Sequence, residues 1–480
     1  MIIQGGMGIG VSDWRLARAV SLQGELGVVS GTGINCVFIR RLQLGDVGGH
    51  VRRALAHFVD HTTVEKILKT YFVEGGIDDV THFKLSSVAQ VHAPIALQRL
   101  NVVAGFVEVF LAKEAHNGLV GINLLEKLQT SNLPTLYGAM LAGVDAVLIG
   151  AGVPREMPGV IELFTNHDDA SVKANLTCAD ATSDVKITFR PRAVFPGLDL
   201  PRLKSPLFFP IISSLTLAQH LVQRSTGKVD GFVVEGALAG GHNAPPRGQL
   251  KLSERGEPIY GVKDQADLTG IRELGLPFWL AGSYGSPDRL NEALSLGANG
   301  IQVGTAFAFC DESGITKSLR QRVIRSWTGL DSLVAEPVFT DPLASPTGFP
   351  FKVVKLPDTL SEKPIYEARP RKCDLGYLRQ ILVGGDGKLV YRCPAEPVED
   401  FVRKGGKVED TVDRKCLCNA LLANIGLGQR QDDGYHEQPL LTSGDDLLHL
   451  RQFVAPGADH YSAKDVLGHL KSALTEVHIP

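Results

Sequence analysis

The sequence reads VDGFVVEGALAGGH over Val229–His242, and this stretch decides the predicted fold. Phe232–Val234 form an apolar run typical of a buried strand, and the glycines that follow allow a sharp turn where the strand ends. The turn presents His242 at the strand end, which is where parallel barrels carry their site residues. The stretch therefore predicts one edge of an active site. A purely structural or solvent-exposed histidine is the alternative, and the position after a double glycine disfavours it.

Two further apolar runs end in glycine turns, Phe278–Ser283 and Gly300–Thr305. Backbone N–H groups at such turns bind anions, and parallel α/β barrels often place a cofactor phosphate after their last two strands. We therefore expect a phosphate site at these two turns. Simple turns that let helices pack closely are the alternative interpretation.

Short runs rich in Val, Ile and Leu alternate with amphipathic segments along much of the chain. This alternation is typical of a parallel sheet that is covered on both faces. The predicted strands are Ile2–Gln4, Leu26–Ser30, Leu119–Asn123, Val144–Gly150, Phe208–Ser213, Gly231–Glu235, Phe278–Gly282 and Gly300–Val303. Eight strands predict an α/β fold, a closed (β/α)8 barrel.

Three segments depart from this repeat. Residues 45–118 are too many for a simple connection, so we expect a helical insertion there that shapes a lid. Lys186–Phe189 predicts a small β excursion. The repeat stops near Ser326, and a tail rich in Pro, Gly, Cys and charge follows. The predicted domains are a barrel of residues 1–325 and a Cys-containing extension of residues 326–480.

Composition narrows the class of protein. With 480 residues and 44% hydrophobic content, the chain can bury a large core. The net charge of −3 gives no broad basic surface, so we expect neither nucleic acid nor a membrane as a partner. No apolar run reaches the roughly 20 residues of a membrane helix, and no signal peptide is evident. The odd number of cysteines argues against a secreted disulfide framework, so we expect a cytoplasmic protein.

Four cysteines cluster in the extension: Cys373, Cys393, Cys416 and Cys418. Four thiolates could hold zinc or an iron–sulfur cluster. The spacing lacks a CxxC pair, which favours buried or reactive thiols instead. We therefore assign no metal ligands from the sequence, and whether these cysteines bind a metal stays open.

Taken together, five motifs resemble the nitronate monooxygenase family, also called 2-nitropropane dioxygenase-like. The motifs are QGGMG at Gln4–Gly8, GIN at Gly121–Asn123, GAGVP at Gly150–Pro154, EGALAGGH at Glu235–His242 and QVGTAF at Gln302–Phe307. They follow one another over residues 1–310. Related FMN-dependent enoyl-acyl-carrier-protein reductases and trans-acting enoyl reductases look similar. The segment Asp341–Lys352 resembles the trans-acting enoyl reductases more than the short monooxygenases.

The resemblance implies an FMN cofactor and a set of site residues. By this resemblance, the flavin ring is bordered by the end of the first strand and by an asparagine. The backbone approaches the cofactor at the double glycine, and the phosphate lies at the ends of the last two strands. The implied cofactor-binding residues are Gly6, Met7, Gly8, Asn123, Gly240, Gly241, Gly282, Ser283, Gly304 and Thr305, and the implied catalytic residue is His242. Relatives more often have glycine at Ser283, and many have arginine at Ala306.

The implied activity is the oxidation of alkyl nitronates with dioxygen to a carbonyl compound and nitrite, without a metal. An NAD(P)H-dependent enoyl-thioester reductase is the second hypothesis, since one histidine can serve either chemistry. A non-catalytic barrel that binds flavin or a phosphorylated ligand is the third. The expected partner is a small-molecule substrate, and in the reductase hypothesis an acyl carrier protein docks on Arg403, Lys404 and Lys407. Solvated surface is the alternative interpretation of these three cations.

Overall fold

A computed structural model describes residues 1–177, 184–328, 336–472 and 474. The described strands are β1 (Ile2–Gln4), β2 (Gly27–Ser30), β3 (Val120–Leu125), β4 (Ala146–Gly150), β5 (Ala170–Lys173), β6 (Lys186–Phe189), β7 (Leu207–Ile212), β8 (Phe232–Glu235), β9 (Phe278–Ala281), β10 (Gly300–Val303), β11 (Val338–Asp341), β12 (Phe351–Val354), β13 (Gln380–Val383) and β14 (Leu389–Arg392).

The described helices are α1 (Trp14–Ser21), α2 (Ile34–Gln43), α3 (His50–Leu55), α4 (His61–Tyr71), α5 (Ile95–Lys113), α6 (Gln129–Leu141), α7 (Met157–Thr165), α8 (Pro191–Val194), α9 (Leu215–Arg224), α10 (Leu268–Glu273), α11 (Pro287–Ser295), α12 (Thr305–Ala308), α13 (Lys317–Thr328), α14 (Lys363–Ala368), α15 (Val398–Arg403), α16 (Leu417–Asn424) and α17 (Ala463–Lys471).

Eight parallel strands form one sheet in the order β1, β10, β9, β8, β7, β4, β3, β2. The two ends of this sheet meet, because Ile3 pairs with Leu26 and the Gln4 N–H donates to the Leu26 carbonyl at 3.0 Å. Apolar side chains such as Val28, Leu148 and Trp279 fill the interior. The predicted (β/α)8 barrel and its eight strands are therefore confirmed.

Polar side chains start several of the barrel helices. Asp13 accepts hydrogen bonds from the first backbone N–H groups of α1, and Ser214 and Ser286 do the same for α9 and α11. Proline opens α11, where its missing N–H and fixed φ suit the first turn. These caps fix where each helix begins after its strand, and so they fix the length of the loops at the carboxyl ends of the strands.

The segment predicted as an insertion contains α3, α4 and α5. Helix α5 packs against α1, α2 and α6 in the outer layer of the barrel. Gly105 and Gly138 allow this, because a Cβ on either glycine would collide with the backbone of the facing helix. By length and composition alone, α5 could cross a membrane, although the sequence predicted no such segment. In the structure, 72% of the apolar stretch of this helix is buried inside the protein.

The C-terminal extension consists of the antiparallel pairs β11–β12 and β13–β14 with helices α14 to α17. Helix α17 packs against α1, α11 and α12 of the barrel. Leu441, Leu447 and Tyr461 of the extension belong to the same buried cluster as the barrel helices. Near the predicted domain boundary, α13 continues to Thr328. The predicted β excursion is present as the antiparallel pair β5–β6.

Candidate active site

A cavity of about 250 Å³ lies at the carboxyl ends of the barrel strands. In parallel barrels this end carries the functional loops. The structure brings together every residue that the resemblance implied, although these residues are far apart in the chain. They are Gly6, Met7, Gly8, Asn123, Gly240, Gly241, His242, Gly282, Ser283, Gly304 and Thr305. Their individual roles stay predictions.

Close approach explains the glycine that follows β1. A Cβ at Gly6 would collide with the Asn123 side chain and touch Val28, so only glycine leaves this wall of the cavity in place. On the neighbouring strand β10, Gln302 is buried, and its Oε1 has no hydrogen-bond partner within the described residues. A buried polar atom without a partner is rare in proteins. It indicates that the cavity is built for a polar ligand.

The predicted phosphate end has an unusual backbone. Gly282 and Ser283 both adopt left-handed conformations, with φ of 93° and 59°. For serine this conformation is strained by roughly 1–2 kcal/mol, which is a physical reason to favour glycine at this position. The Ser283 hydroxyl donates to the Leu238 carbonyl at 3.4 Å. Ala306, the second position at which the sequence differs from the family pattern, is buried. Its carbonyl accepts a hydrogen bond from the Tyr461 hydroxyl of the extension.

A buried carboxyl also lies at this end. Asp446 lines the cavity, and its side chain interacts with the Thr305 hydroxyl. That hydroxyl also accepts the Gly444 N–H at 3.0 Å, so the extension directly contacts one of the predicted phosphate donors. Burial raises the pKa of Asp446 and favours its neutral form. Asp446 can therefore neighbour an anion when protonated and repels it when ionised.

His242 is held by the extension. Its neighbours pair with the region of β12, since the Lys352 N–H donates to the Gly241 carbonyl and the Asn243 N–H to the Pro350 carbonyl, both at 2.9 Å. The imidazole Nε2 lies 2.7 Å from the Ser345 hydroxyl.

The His242 ring also stands edge-on to Phe351. Burial, with a smaller contribution from Lys127, lowers the pKa of His242 to about 4. The imidazole is therefore neutral at physiological pH, able to donate from one nitrogen and accept at the other.

Glu235 is a second titratable group in the cavity, and sequence reasoning assigned it no role. It ends β8, seven positions before His242 in the same motif. Burial raises the pKa of Glu235 to about 7, so protonated and ionised forms coexist near neutral pH. Two cavity groups whose pKa values are displaced in opposite directions are typical of sites that move protons.

A second cavity, of about 240 Å³, adjoins the first. The two share Ala151, Ile211, Glu235 and His242, so both titratable groups stand on the wall between them. The second cavity is also lined by the exposed Arg247. One cavity can thus hold a cofactor while the other receives a substrate against the same two side chains.

The cover of the first cavity comes from the extension. Gly241 N–H donates to the Thr442 hydroxyl at 2.8 Å, and a Cβ on Gly240 would meet the backbone at Ser443. The lining residues of the extension include Tyr377, Leu378, Leu417, Cys418, Leu421, Asn424 and Leu441–Gly444. Residues 45–118, all described, contribute none. The predicted lid in that segment is wrong, because α3, α4 and α5 pack among the outer helices.

The fold and the cavity define a (β/α)8-barrel protein with its site at the carboxyl ends of the strands. Residues 198–336 match the family model described as Nitronate monooxygenase. Among curated proteins, the nitronate monooxygenase of Pseudomonas aeruginosa is 30% identical over 126 residues, which cover 26% of this chain and 34% of that protein. This part of the chain is therefore similar to the nitronate monooxygenase family, as its motifs predicted.

Other similar proteins carry different names. The (3aS,4S,5R,7aS)-5-hydroxy-7a-methyl-1-oxo-octahydro-1H-indene-4-carboxyl-CoA dehydrogenase of Mycobacterium tuberculosis is 27% identical over 124 residues, 26% of this chain and 31% of that protein. The chain spans about a third of the length of these two curated relatives. The structure of FabK from Thermotoga maritima aligns with 99% of this chain and 94% of its own, at 14% identity and a TM-score of 0.47.

Proposed function

We propose that the protein is an FMN-dependent, cytoplasmic oxidoreductase that oxidises alkyl nitronates with dioxygen to a carbonyl compound and nitrite. The observation that carries this proposal is the convergence of the family motifs on one cavity, with a neutral His242 on its wall. The relationship of residues 198–336 to the nitronate monooxygenase family supports it.

The residues of the cavity fit FMN. Gly6 leaves room that a side chain would fill, and Gln302 Oε1 is a buried acceptor with no partner in the described part of the chain. Gly6, Met7, Gly8 and Asn123 would hold the ring, Gly240 and Gly241 would let the backbone approach it, and Gly282, Ser283, Gly304 and Thr305 would hold the phosphate. When bound, FMN supplies the electron transfer from the substrate and the reaction with dioxygen.

The protein's own groups orient the substrate and control its proton. A neutral His242 can donate a hydrogen bond to an oxygen of an anionic nitronate without first binding a proton. Glu235, with a pKa of about 7, can hold or release a proton close to neutral pH. Phe351 of the extension stands edge-on to His242, and with Leu417 it adds apolar surface to the wall of the first cavity. Arg247 lines the second cavity together with Asp264, and its guanidinium could pair with an anionic substrate there.

The experiment is an anaerobic absorbance spectrum of the flavin-loaded protein, before and after a nitronate is added. Bleaching of the flavin is the expected result, followed by nitrite when oxygen returns. His242→Ala should keep the flavin and lose turnover, whereas His220→Ala, an exposed histidine on α9, is the matched control. No bleaching by several nitronates, or full turnover in His242→Ala, would contradict the proposal.

An enoyl-thioester reductase is the second candidate, and Glu235 is the observation that favours it. Reduction of an enoyl thioester requires a proton for the carbon beside the one that accepts hydride, and a carboxyl with a pKa of about 7 can supply it. Bleaching by NADPH but not by a nitronate would select this candidate. Bleaching by neither would select a flavin-binding protein without catalysis.

In this second candidate an acyl carrier protein would present the substrate. Of the three cations predicted to contact it, Lys404 pairs with the buried Glu396 at 2.8 Å and Arg403 pairs with Asp400 at 2.5 Å. Lys407 is exposed. We therefore rank Lys407 first as a docking contact, since the other two already have carboxylate partners.

A further inference from the structure

The segment between β11 and β12 contains a tight turn with two hydroxyl side chains, Ser345 and Thr347. The turn reads SPTG over Ser345–Gly348. Serine at the first position, proline at the second and glycine at the fourth are residues that favour a β-turn. In the structure the Gly348 N–H donates to the Ser345 carbonyl at 3.2 Å, and the Thr347 N–H donates to the Ser345 hydroxyl oxygen at 3.2 Å. The turn thereby brings the two hydroxyl oxygens to 2.8 Å from each other.

Hydrogen bonds from the extension hold this turn in place. The Arg414 guanidinium donates to the carbonyls of Leu343 and Ser345, both at 2.8 Å. The next residue of the same segment, Lys415, donates its backbone N–H to the Ala344 carbonyl at 2.8 Å. Ser345 is fully buried, whereas Thr347 is partly exposed. The two hydroxyls therefore lead from the interior of the protein toward its surface.

The hydroxyl pair continues into His242. The Ser345 hydroxyl oxygen lies 2.7 Å from the imidazole Nε2 and 2.8 Å from the Thr347 hydroxyl oxygen. The Phe349 N–H donates to that second oxygen at 3.4 Å. A hydroxyl can donate and accept at the same time, so it can pass a proton from one neighbour to the next. The three side chains form one hydrogen-bonded chain from the cavity wall to a partly exposed residue.

This chain of hydrogen bonds can point in either direction. In one direction Nε2–H donates to Ser345, and the Ser345 hydroxyl donates to Thr347. In the other, the Thr347 hydroxyl donates to Ser345, and the Ser345 hydroxyl donates to Nε2. The first direction leaves Nδ1 of His242 as an acceptor, and the second leaves it as a donor. Nδ1 has no partner among the residues that the structure describes, and His242 lines both cavities, so either form is open to a ligand.

We propose that Ser345 and Thr347 form a proton relay between solvent and His242. When Nδ1 takes a proton from a molecule in the cavity, the Nε2 proton passes to the Ser345 oxygen. The Ser345 hydroxyl proton passes to the Thr347 oxygen, and the Thr347 hydroxyl proton passes to water. Every N–H or O–H bond that breaks is replaced by one that forms, so the imidazole stays neutral and only changes its tautomer. The reverse flow brings a proton into the cavity.

The surroundings of His242 give the relay its purpose. Burial and the charge of Lys127 disfavour a second proton on this ring, so an imidazolium is a costly intermediate. The relay lets His242 take or give a proton without that cation. The use of this proton on a substrate rests on the proposed function, but the relay itself requires neither flavin nor substrate.

The test is nitrogen NMR of the full chain labelled with ¹⁵N at histidine, because the two ring nitrogens report which one carries the proton. The His242 signals are those missing in His242→Gln. Wild type should show both tautomers in exchange. Thr347→Val keeps the shape and removes one hydroxyl, so Nε2 becomes the remaining acceptor for the buried Ser345 hydroxyl among the described residues. The Nδ1–H form should then predominate by roughly tenfold or more, because a buried hydroxyl without an acceptor is costly.

Two further variants separate the hydroxyl from the fold. Thr347→Ser restores the hydroxyl and should restore the mixture of tautomers. Thr316→Val is the matched control, since Thr316 is also partly exposed and its hydroxyl contacts only Ser318, at 3.5 Å. This control should leave the His242 signals as they are in wild type.

Three results would overturn the relay: a single tautomer in wild type, wild-type signals in Thr347→Val, or no recovery in Thr347→Ser. The first needs no variant, so the proposal stays open to refutation even if Thr347→Val does not fold. In the flavin-loaded protein, kcat of Thr347→Val should fall roughly tenfold and return in Thr347→Ser. Both tautomers in a wild-type protein that turns over no nitronate would contradict the proposed function and support the relay.

Discussion

Glu235 and His242 should affect stability in opposite directions as the pH changes. The ordinary carboxyl pKa of 4.5 rises to about 7 at Glu235 in the folded protein. Between these values the unfolded carboxyl is ionised while the folded one keeps its proton, so folding takes up a proton. Stability therefore falls as the pH rises through this window. This rise in the pKa of Glu235 corresponds to a loss of roughly 3 kcal/mol of unfolding free energy across the window.

His242 has the opposite sign. Its pKa falls from 6.5 to about 4 on folding, so between these values the unfolded imidazole is protonated and the folded one is neutral. Stability is lost as the pH falls through that window, again by roughly 3 kcal/mol. Neither group is among the causes of the other's displacement. In the wild type the two effects largely cancel where the windows overlap, and single substitutions should reveal each one.

The assay is urea unfolding of the flavin-free protein at a series of pH values. Relative to wild type, Glu235→Gln should gain roughly 3 kcal/mol of unfolding free energy as the pH rises from 4.5 to about 7. His242→Gln should gain a similar amount as the pH falls from 6.5 to about 4. Differences from wild type that do not change with pH would refute the reasoning, since a substitution that alters only packing has no such window.

Three further predictions concern ligand binding and turnover. Gly6→Ala should weaken FMN binding by roughly tenfold or more while the fold persists, because the new methyl group displaces Asn123. Quenching of flavin fluorescence measures the binding, and circular dichroism measures the fold. Ser345→Ala removes the hydroxyl beside His242 and should lower kcat by roughly tenfold with unchanged FMN affinity, measured by steady-state kinetics. In the wild type, FMN affinity should fall as the pH rises through the raised pKa of Asp446, because the ionised carboxyl repels the phosphate. Asp446→Asn should not show this fall, and titration of both proteins with FMN at several pH values measures it. An identical pH dependence in the two proteins would count against a carboxyl beside the phosphate.

The barrel could be predicted because its signals are local. Each strand is a short apolar run that ends in, or is directly followed by, glycine or a polar residue. Parallel strands place those ends on one side of a barrel. Gly6, Asn123 and His242 could therefore be grouped without knowledge of their distances. The same rule covers Glu235, which ends β8, but its unusual pKa arises from burial that only the folded chain shows.

The cover of the site could not be predicted, because its contacts have no local signal. Ser345 meets His242 across 103 positions, and Gly444 meets Thr305 across 139. Both lie in irregular segments where neither helix nor strand periodicity applies. Residues 45–118 have a clear helical pattern, so the sequence favours this segment over the irregular extension as the lid. Its apolar residues were in fact needed for the outer layer of the barrel.

The pairing of β12 with the chain around His242 has a further consequence. The histidine is supplied by the barrel, but its position is set by hydrogen bonds from a segment more than a hundred residues later. Changes confined to Pro350–Lys352 or Ser345 can therefore alter the position and hydrogen bonding of this histidine while all eight barrel strands stay as they are. A protein that keeps the barrel but differs in this segment would keep the histidine and change the groups that hold it.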